Sequence, residues 1–292
     1  MSVKIYISIL LLFASAVAFG QGKRALIVAI SDYPKSSGFA KISGTNDYEI
    51  VSKTLEKQGF TINALLNSDA TAANIRQELG ILANATKSGD YVYIHFSTHG
   101  QPFEDRPPFD EEDSWDESVV AYDASKYYKQ GVYEGENHIL DDELSAFFER
   151  IRTAIGKGGF LCVAIDACHS GSSSRDEDDD EIILRGTNLG FSLSGKIYAP
   201  KIEKSYFGNV VALQHSDNQS DILILESCKS HQFNREITEN GTNYGPLSYY
   251  IAQTLQNQRL DKSMDWALEV RKKMQNDIRL SNQNMVIETS LK

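Results

Sequence analysis

The chain has 292 residues, 41% of them hydrophobic and 24% charged, with a formal net charge of −11. That is enough apolar material for one large globular domain or two small ones. The acidic balance excludes nucleic acid as a partner.

Residues 1–20 hold Lys4, an apolar run over 5–12 and a small-residue exit at Ala16-Val-Ala18. A basic start, an apolar core short for a bilayer span and an A-x-A-like exit describe a secretory signal peptide, cleaved between Ala18 and Gln21. The mature chain is therefore expected to be exported, periplasmic or extracellular, with no stable membrane anchor after cleavage. Residues 24–30 predict the first buried strand, broken by Ser31-Asp-Tyr-Pro34. Gly44-Thr-Asn-Asp47 precedes a helical pattern through Ile50, Val51, Leu55 and Gly59. Residues 60–66 read as a second strand, and Asp69-Ala-Thr71 caps a helix spaced by Ile75, Leu79 and Leu82.

Residues 90–98 form a third apolar strand, ending in the polar cluster His99-Gly100. Residues 101–118 read as a loop rich in proline and acid, with Asp105, Asp110, Glu111, Glu112, Asp113, Asp116 and Glu117; a short hairpin strand follows over 119–123. Asp141-Asp142-Glu143 opens a helix, where acids favour the dipole. The run from Leu161 to Asp166 reads as a buried strand that leaves the sheet at Cys168. Residues 172–220 look irregular, with an acidic tract over 176–181; a strand over 221–227 and helices from Pro246 and Asp265 complete the pattern. Strand alternating with helix predicts a mostly parallel sheet covered on both faces.

In such a sheet the working crevice lies beyond the carboxyl ends of the strands. Two strands there deliver a thiol, Cys168, and an imidazole, His99. A thiol needs a base to become a thiolate, and the two partners are close in space rather than in sequence. Cys162 lies within its strand and reads as core, while Cys228 ends the strand over 221–227, near the crevice. His95 is a core histidine and His169 structural.

Ser97-Thr-His-Gly100 resembles the S-G-H-G motif of the caspase–metacaspase superfamily, and Asp166-Ala-Cys-His-Ser-Gly171 the metacaspase D-x-C-H-S-G motif, in the same order. The resemblance runs from Arg24 to the C-terminus. It implies a caspase-like three-layer α/β sandwich over 21–292, with a large part over 21–174, a linker over 172–220 and a small part over 221–292. It implies a cysteine endopeptidase with Cys168 as nucleophile, His99 as general base and the main-chain N–H groups of Gly100 and Cys168 as oxyanion donors. Asp47 and Asp166 stand at metacaspase pocket positions, with Ser97 lining the pocket, so protein or peptide substrates with Arg or Lys before the cut are expected. Gly44 departs from the cysteine that the family often carries there. Basic residues of the linker, Arg175, Arg185, Lys196, Lys201 and Lys204, are candidate self-processing sites of a zymogen. No cofactor is required; the acidic 105–117 loop with Asp141 and Asp142 resembles a calcium-binding region, so calcium is kept open, but a solvated loop is the stronger reading and no metal ligands are assigned. A caspase-like pseudoenzyme or binding module is the alternative, and ligation by aminolysis of the acyl-enzyme cannot be separated from hydrolysis at this level.

Overall fold

The first strand, β1 (Lys23–Ala29), alternates between two separate cores: Leu26 and Val28 enter one, and Ala25, Ile27 and Ala29 enter the other. A strand with both faces buried belongs inside a parallel sheet. The computed structural model describes residues 21–109, 111, 113–168, 182–199 and 210–291. The proposed signal peptide, the acidic tract over 176–181, His169, Arg175, Lys201 and Lys204 lie outside the described residues. Among the described residues no helix is long and apolar enough to cross a membrane.

After β1 come α1 (Gly44–Lys57), β2 (Thr61–Leu66), α2 (Ala72–Ala85), β3 (Tyr91–Ser97), β4 (Gly100–Glu104), β5 (Trp115–Val120), β6 (His138–Leu140), α3 (Asp141–Ile155) and β7 (Phe160–Asp166). The remainder is β8 (Val210–Ala212), β9 (Asp221–Glu226), β10 (Ile237–Glu239), β11 (Thr242–Tyr244), α4 (Pro246–Leu255), α5 (Asp265–Asn276) and β12 (Val286–Thr289). A seven-stranded sheet has the order β2-β1-β3-β7-β9-β12-β8. All its neighbours are parallel except β9 and β12. One face packs on Ile75 and Leu79 of α2 and on Leu144, Phe148 and Ile151 of α3. The other packs on Val51 and Leu55 of α1, Leu247 and Ile251 of α4, and Trp266 and Val270 of α5. This is the expected three-layer α/β sandwich. Thr71 caps α2 as expected, accepting from the Asn74 N–H.

The structure corrects the loop expected over 101–118. Gly100–Glu104 and Trp115–Val120 pair antiparallel, and β6 adds a third strand to this small sheet. Pro102 stands in β4, which pairs with β5 alone within the sheet and so is an edge strand, where a missing N–H is tolerated. Strands β8 and β12 were not read from the sequence; three and four residues long, they are too short to show a period.

Asp141 is not a solvated acid. Its Oδ1 is buried without a partner. Burial, reinforced by Glu117, Asp116 and Glu111, pushes its carboxyl up to about 8. Burial and the neighbouring like charges favour the protonated acid. A carboxyl whose folded pKa is raised stabilises the fold below its ordinary pKa and loses that contribution as pH rises toward 8. Asp141→Asn should match the wild type in urea unfolding near pH 4 and exceed it by a few kcal/mol, on the order set by such a shift, near pH 9. Equal pH dependence of the two proteins would remove the buried-acid reading.

Candidate active site

Strands β3 and β7 lie side by side in register, with Ser97 opposite Asp166 at their carboxyl ends. The chain turns there into Thr98-His99-Gly100 on one strand and Ala167-Cys168 on the other, and His99, Asp166 and Cys168 are all buried. Sheet pairing therefore brings together the two motifs that are far apart in sequence.

The His99 ring packs between Phe39, with centroids 5.3 Å apart, and Tyr33, at 5.0 Å. Its Nε2 lies 2.9 Å from the Ala40 carbonyl. A carbonyl can only accept, so Nε2 carries the proton and Nδ1 is the basic nitrogen. Nδ1 is buried with no hydrogen-bond partner. Burial lowers the imidazole pKa to about 4, against the raising effect of the Ala40 bond, so the ring is neutral at pH 7. Ala40 could not be found from sequence, because a main-chain carbonyl leaves no residue-type signature.

The Cys168 thiol donates to the Gln232 carbonyl, which the Cys228 thiol also reaches at 3.6 Å. None of the three cysteines is in a disulfide. Burial, followed by the neighbouring Cys168, holds the Cys228 thiol well above its usual pKa. Cys228 thus lies at the crevice, where the end of its strand put it, and stays a thiol.

Arg185 is the residue on which the site closes. Its carbonyl oxygen accepts from the Gly100 N–H at 3.2 Å and from the Cys168 N–H at 2.9 Å. These are the two donors that the family resemblance assigns to an oxyanion. The Arg185 N–H donates to the Asn234 carbonyl at 2.9 Å, and the Glu236 N–H donates to the Ile183 carbonyl at 2.9 Å. Residues 183–185 therefore lie antiparallel on 234–236, as an extended substrate lies on a strand edge. The sequence placed Arg185 on the flank of a solvated linker; the structure gives it 0% exposure.

Its guanidinium explains the burial. Nη1 lies 2.7 Å from Asp47 Oδ2 and donates to Ser97 Oγ at 2.7 Å. Nε donates to Glu236 Oε1 at 3.0 Å, and Nη2 is 2.8 Å from the same oxygen. Asp166 contributes differently from the expectation. Its carboxylate accepts from Asn234 Nδ2 at 2.7 Å and from Ser248 N and Oγ at 2.8 and 2.7 Å, so it meets the guanidinium through its field and its main-chain oxygen. Burial pushes Asp47 up to about 7 although Arg185 opposes the shift. Burial also works against the Arg185 charge, but Asp47, Glu236 and Asp166 overcome it and hold the guanidinium above its ordinary pKa.

The pocket walls are closely fitted. Asp47 does not cap α1; its Oδ1 accepts from the Gly245 N–H at 2.9 Å and its Oδ2 from Ser97 Oγ at 2.6 Å. A Cβ on Gly245 would fall 2.2 Å from Asp166 Oδ2 and 2.6 Å from Arg185 Nη1. At Gly44 it would fall 2.5 Å from the Ile30 carbonyl, which gives the physical reason for glycine where the family often has cysteine. Glu236 escaped the sequence reading because it lies in an irregular stretch before β10. Among the remaining linker candidates, Lys196 is exposed, with its ammonium 5.7 Å from the Trp115 ring centroid.

His95 is core, as read: Tyr93 Oη and Ser248 Oγ each lie 2.9 Å from a ring nitrogen, and burial lowers its pKa to about 4. Through Ser248 it buttresses Asp166.

A family model described as the caspase domain matches residues 22–291. Metacaspase-7 of Arabidopsis thaliana is 30% identical over 246 residues, covering 78% of this chain and 54% of its own. Metacaspase-2 of Trypanosoma brucei is 27% identical over 236 residues, covering 76% and 58%, and Metacaspase-1 of Candida albicans is 25% identical over 212 residues, covering 61% and 44%. The chain thus spans about half the length of the curated relatives it matches. A solved structure of a Geobacter sulfurreducens protein superposes with a TM-score of 0.60 at 20% identity, covering 92% of this chain and 93% of its own, which supports the fold. With the caspase-domain match running almost end to end, this chain belongs to the caspase-domain family of peptidases.

Proposed function

We propose that this chain is an exported cysteine endopeptidase that cleaves after basic residues, arginine ahead of lysine, and processes its own linker at the Arg185–Gly186 bond. One observation carries the reading: Arg185 lies with its side chain among carboxylates and its carbonyl on two N–H donors beside Cys168. In the proposed reaction the Cys168 thiol turns from the Gln232 carbonyl and gives its proton to His99 Nδ1. The thiolate attacks the carbonyl carbon before the cut, and the oxygen gathers negative charge where Gly100 and Cys168 donate. Each such donor is worth about 3 kcal/mol in enzymes where it has been removed. His99 then returns the proton to the leaving nitrogen, and water releases the acyl group from the thioester. Thiol, imidazole and N–H groups supply nucleophile, base and oxyanion donors, so the reading requires no cofactor.

Substrate preference follows from the pocket. A planar guanidinium reaches Asp47 and Ser97 with one nitrogen and Glu236 with the others, whereas a lysine ammonium is a single point. An aspartate there would face the carboxylates of Asp47, Asp166 and Glu236. Partners are therefore proteins or peptides with basic residues. Export rests on Lys4, the apolar run and the Ala16-Val-Ala18 exit.

Purified wild type should separate into two fragments, while Cys168→Ala stays one chain; His99→Ala should slow cleavage by at least about a hundredfold. A Cys168→Ala protein that still splits would end the dyad reading. Arg185→Ala should also stay intact, with Lys196→Ala splitting like the wild type. In steady-state assays on paired fluorogenic peptides, Glu236→Gln should lower kcat/KM for arginine by at least about tenfold and for lysine by less, since truncating one partner of a buried charge pair costs about 2 kcal/mol or more. Equal losses on both substrates would remove Glu236 from the selectivity argument.

A further inference from the structure

The residues that follow the bond at Arg185 are held as firmly as those that precede it. Gly186 bridges both Gly100 and Cys168 at the head of the crevice. The segment then runs parallel along the outer edge of β4: the Phe191 N–H donates to the Pro102 carbonyl at 2.7 Å, and the Glu104 N–H donates to the Phe191 carbonyl at 2.9 Å. Gln101 Nε2 donates to the Leu189 carbonyl at 2.8 Å. The Phe191 ring is 1% exposed. It stacks on Phe103 with centroids 4.9 Å apart and meets His138, Tyr133 and Tyr128 at 4.7, 5.6 and 6.1 Å. Beyond it, the Glu104 carboxylate accepts from the Ser192 and Ser194 hydroxyls and the Ser194 N–H. Apart from the Gly186 bridges, which share the Arg185 carbonyl, these contacts all lie downstream of the Arg185–Gly186 bond.

We propose, building on the peptidase reading, that the segment 186–191 stays docked after that bond is cut, and that its new Gly186 amine serves as a resident acyl acceptor, giving the protein a peptide-ligating activity. Phe191 lies five positions beyond Gly186, a tether of at most about 18 Å. A short tether keeps an attached group at millimolar effective concentration or higher, and good alignment raises it further. An ordinary leaving peptide diffuses away; this one cannot. The chemistry balances without a further reactant. The Gly186 amine nitrogen attacks the thioester carbon, a C–N bond forms and the C–S bond breaks. The nitrogen's proton passes through His99 Nδ1 to the Cys168 sulfur. With its own Arg185 on the thioester the chain reseals. With a foreign peptide ending in arginine, that peptide becomes joined to Gly186.

The test uses the processed two-chain protein and acetyl-Ile-Leu-Arg-aminomethylcoumarin, which copies Ile183-Leu184-Arg185. Samples are quenched in acid within the first turnovers, and the fragments are weighed intact. The fragment beginning at Gly186 should gain the mass of acetyl-Ile-Leu-Arg, and free acetyl-Ile-Leu-Arg acid should fall short of the released coumarin by the amount of that adduct. Phe191→Ala should shift the partition toward free acid by several-fold, with Phe191→Leu in between. The wild-type measurement stands whether or not either variant folds. Coumarin release with no adduct on the Gly186 fragment would overturn the proposal while leaving the peptidase reading intact; coumarin release with no fragment beginning at Gly186 would overturn it together with self-processing at that bond, leaving cleavage of peptides alone. Failure to release coumarin at all would instead sink the peptidase reading on which it rests.

Discussion

A guanidinium with no exposed surface is the constraint around which this end of the molecule is built. Such a charge is tolerated only where ion pairs and hydrogen bonds replace its water. Each replacement comes from a different part of the fold: Ser97 from the end of β3, Asp166 from the end of β7, Asp47 from the first turn of α1, and Glu236 from the stretch before β10. Glu236 also accepts from the Ser43 N–H at 2.6 Å, which ties the start of α1 to the same cluster. The carboxylates need the cation as much as it needs them. Asp47 is already pushed toward neutrality by its burial, with Arg185 opposing. An empty pocket would bring Asp47, Asp166 and Glu236 together without a counter-charge, so the fold favours its occupancy by the Arg185 side chain.

The candidate pair, His99 and Cys168, obeys a different requirement. A base must be neutral to accept a proton, and burial in an aromatic cage makes His99 so, while the Ala40 carbonyl fixes which nitrogen is basic. The cage is carried by Tyr33 and Phe39, both in the loop after β1, and Tyr33 accepts from the His99 N–H at 3.0 Å and donates to the Val120 carbonyl at 3.0 Å. One loop thus orients the imidazole and ties the turn after β3 to β5.

What the sequence made legible follows from which elements are self-announcing. Strands β1, β3, β7 and β9 are buried on both faces and read as unbroken apolar runs, so the sheet and the strand-end positions of His99 and Cys168 were within reach. Strand β4 was hidden because Gln101, Pro102 and Glu104 read as loop, although Gln101 and Pro102 are buried under later segments of the chain. At the site, side chains in motifs could be found, but contributions from main-chain carbonyls at Ala40, Gln232 and Asn234 could not. Arg185 was misjudged for a related reason. The acidic tract upstream made the stretch read as a solvated linker, although Ile182-Ile183-Leu184 lead directly into Arg185, and only the sheet assembles the remote acids that make burial favourable.

The two sides of the Arg185–Gly186 bond are retained by distinct physics. Upstream, retention is electrostatic and fixed to a single residue type, through one guanidinium and two strand-like main-chain bonds over 183–236. Downstream, it is an aromatic plug in a core that also stabilises β4 and β6, with little dependence on charge. The first site answers to charge, whereas the second is filled by a ring that is part of the folded core. Retention on the two sides of the crevice is therefore asymmetric. The arginine side is held by ion pairs from remote acids, while the groove along β4 is filled by the aromatic packing of the protein's own chain.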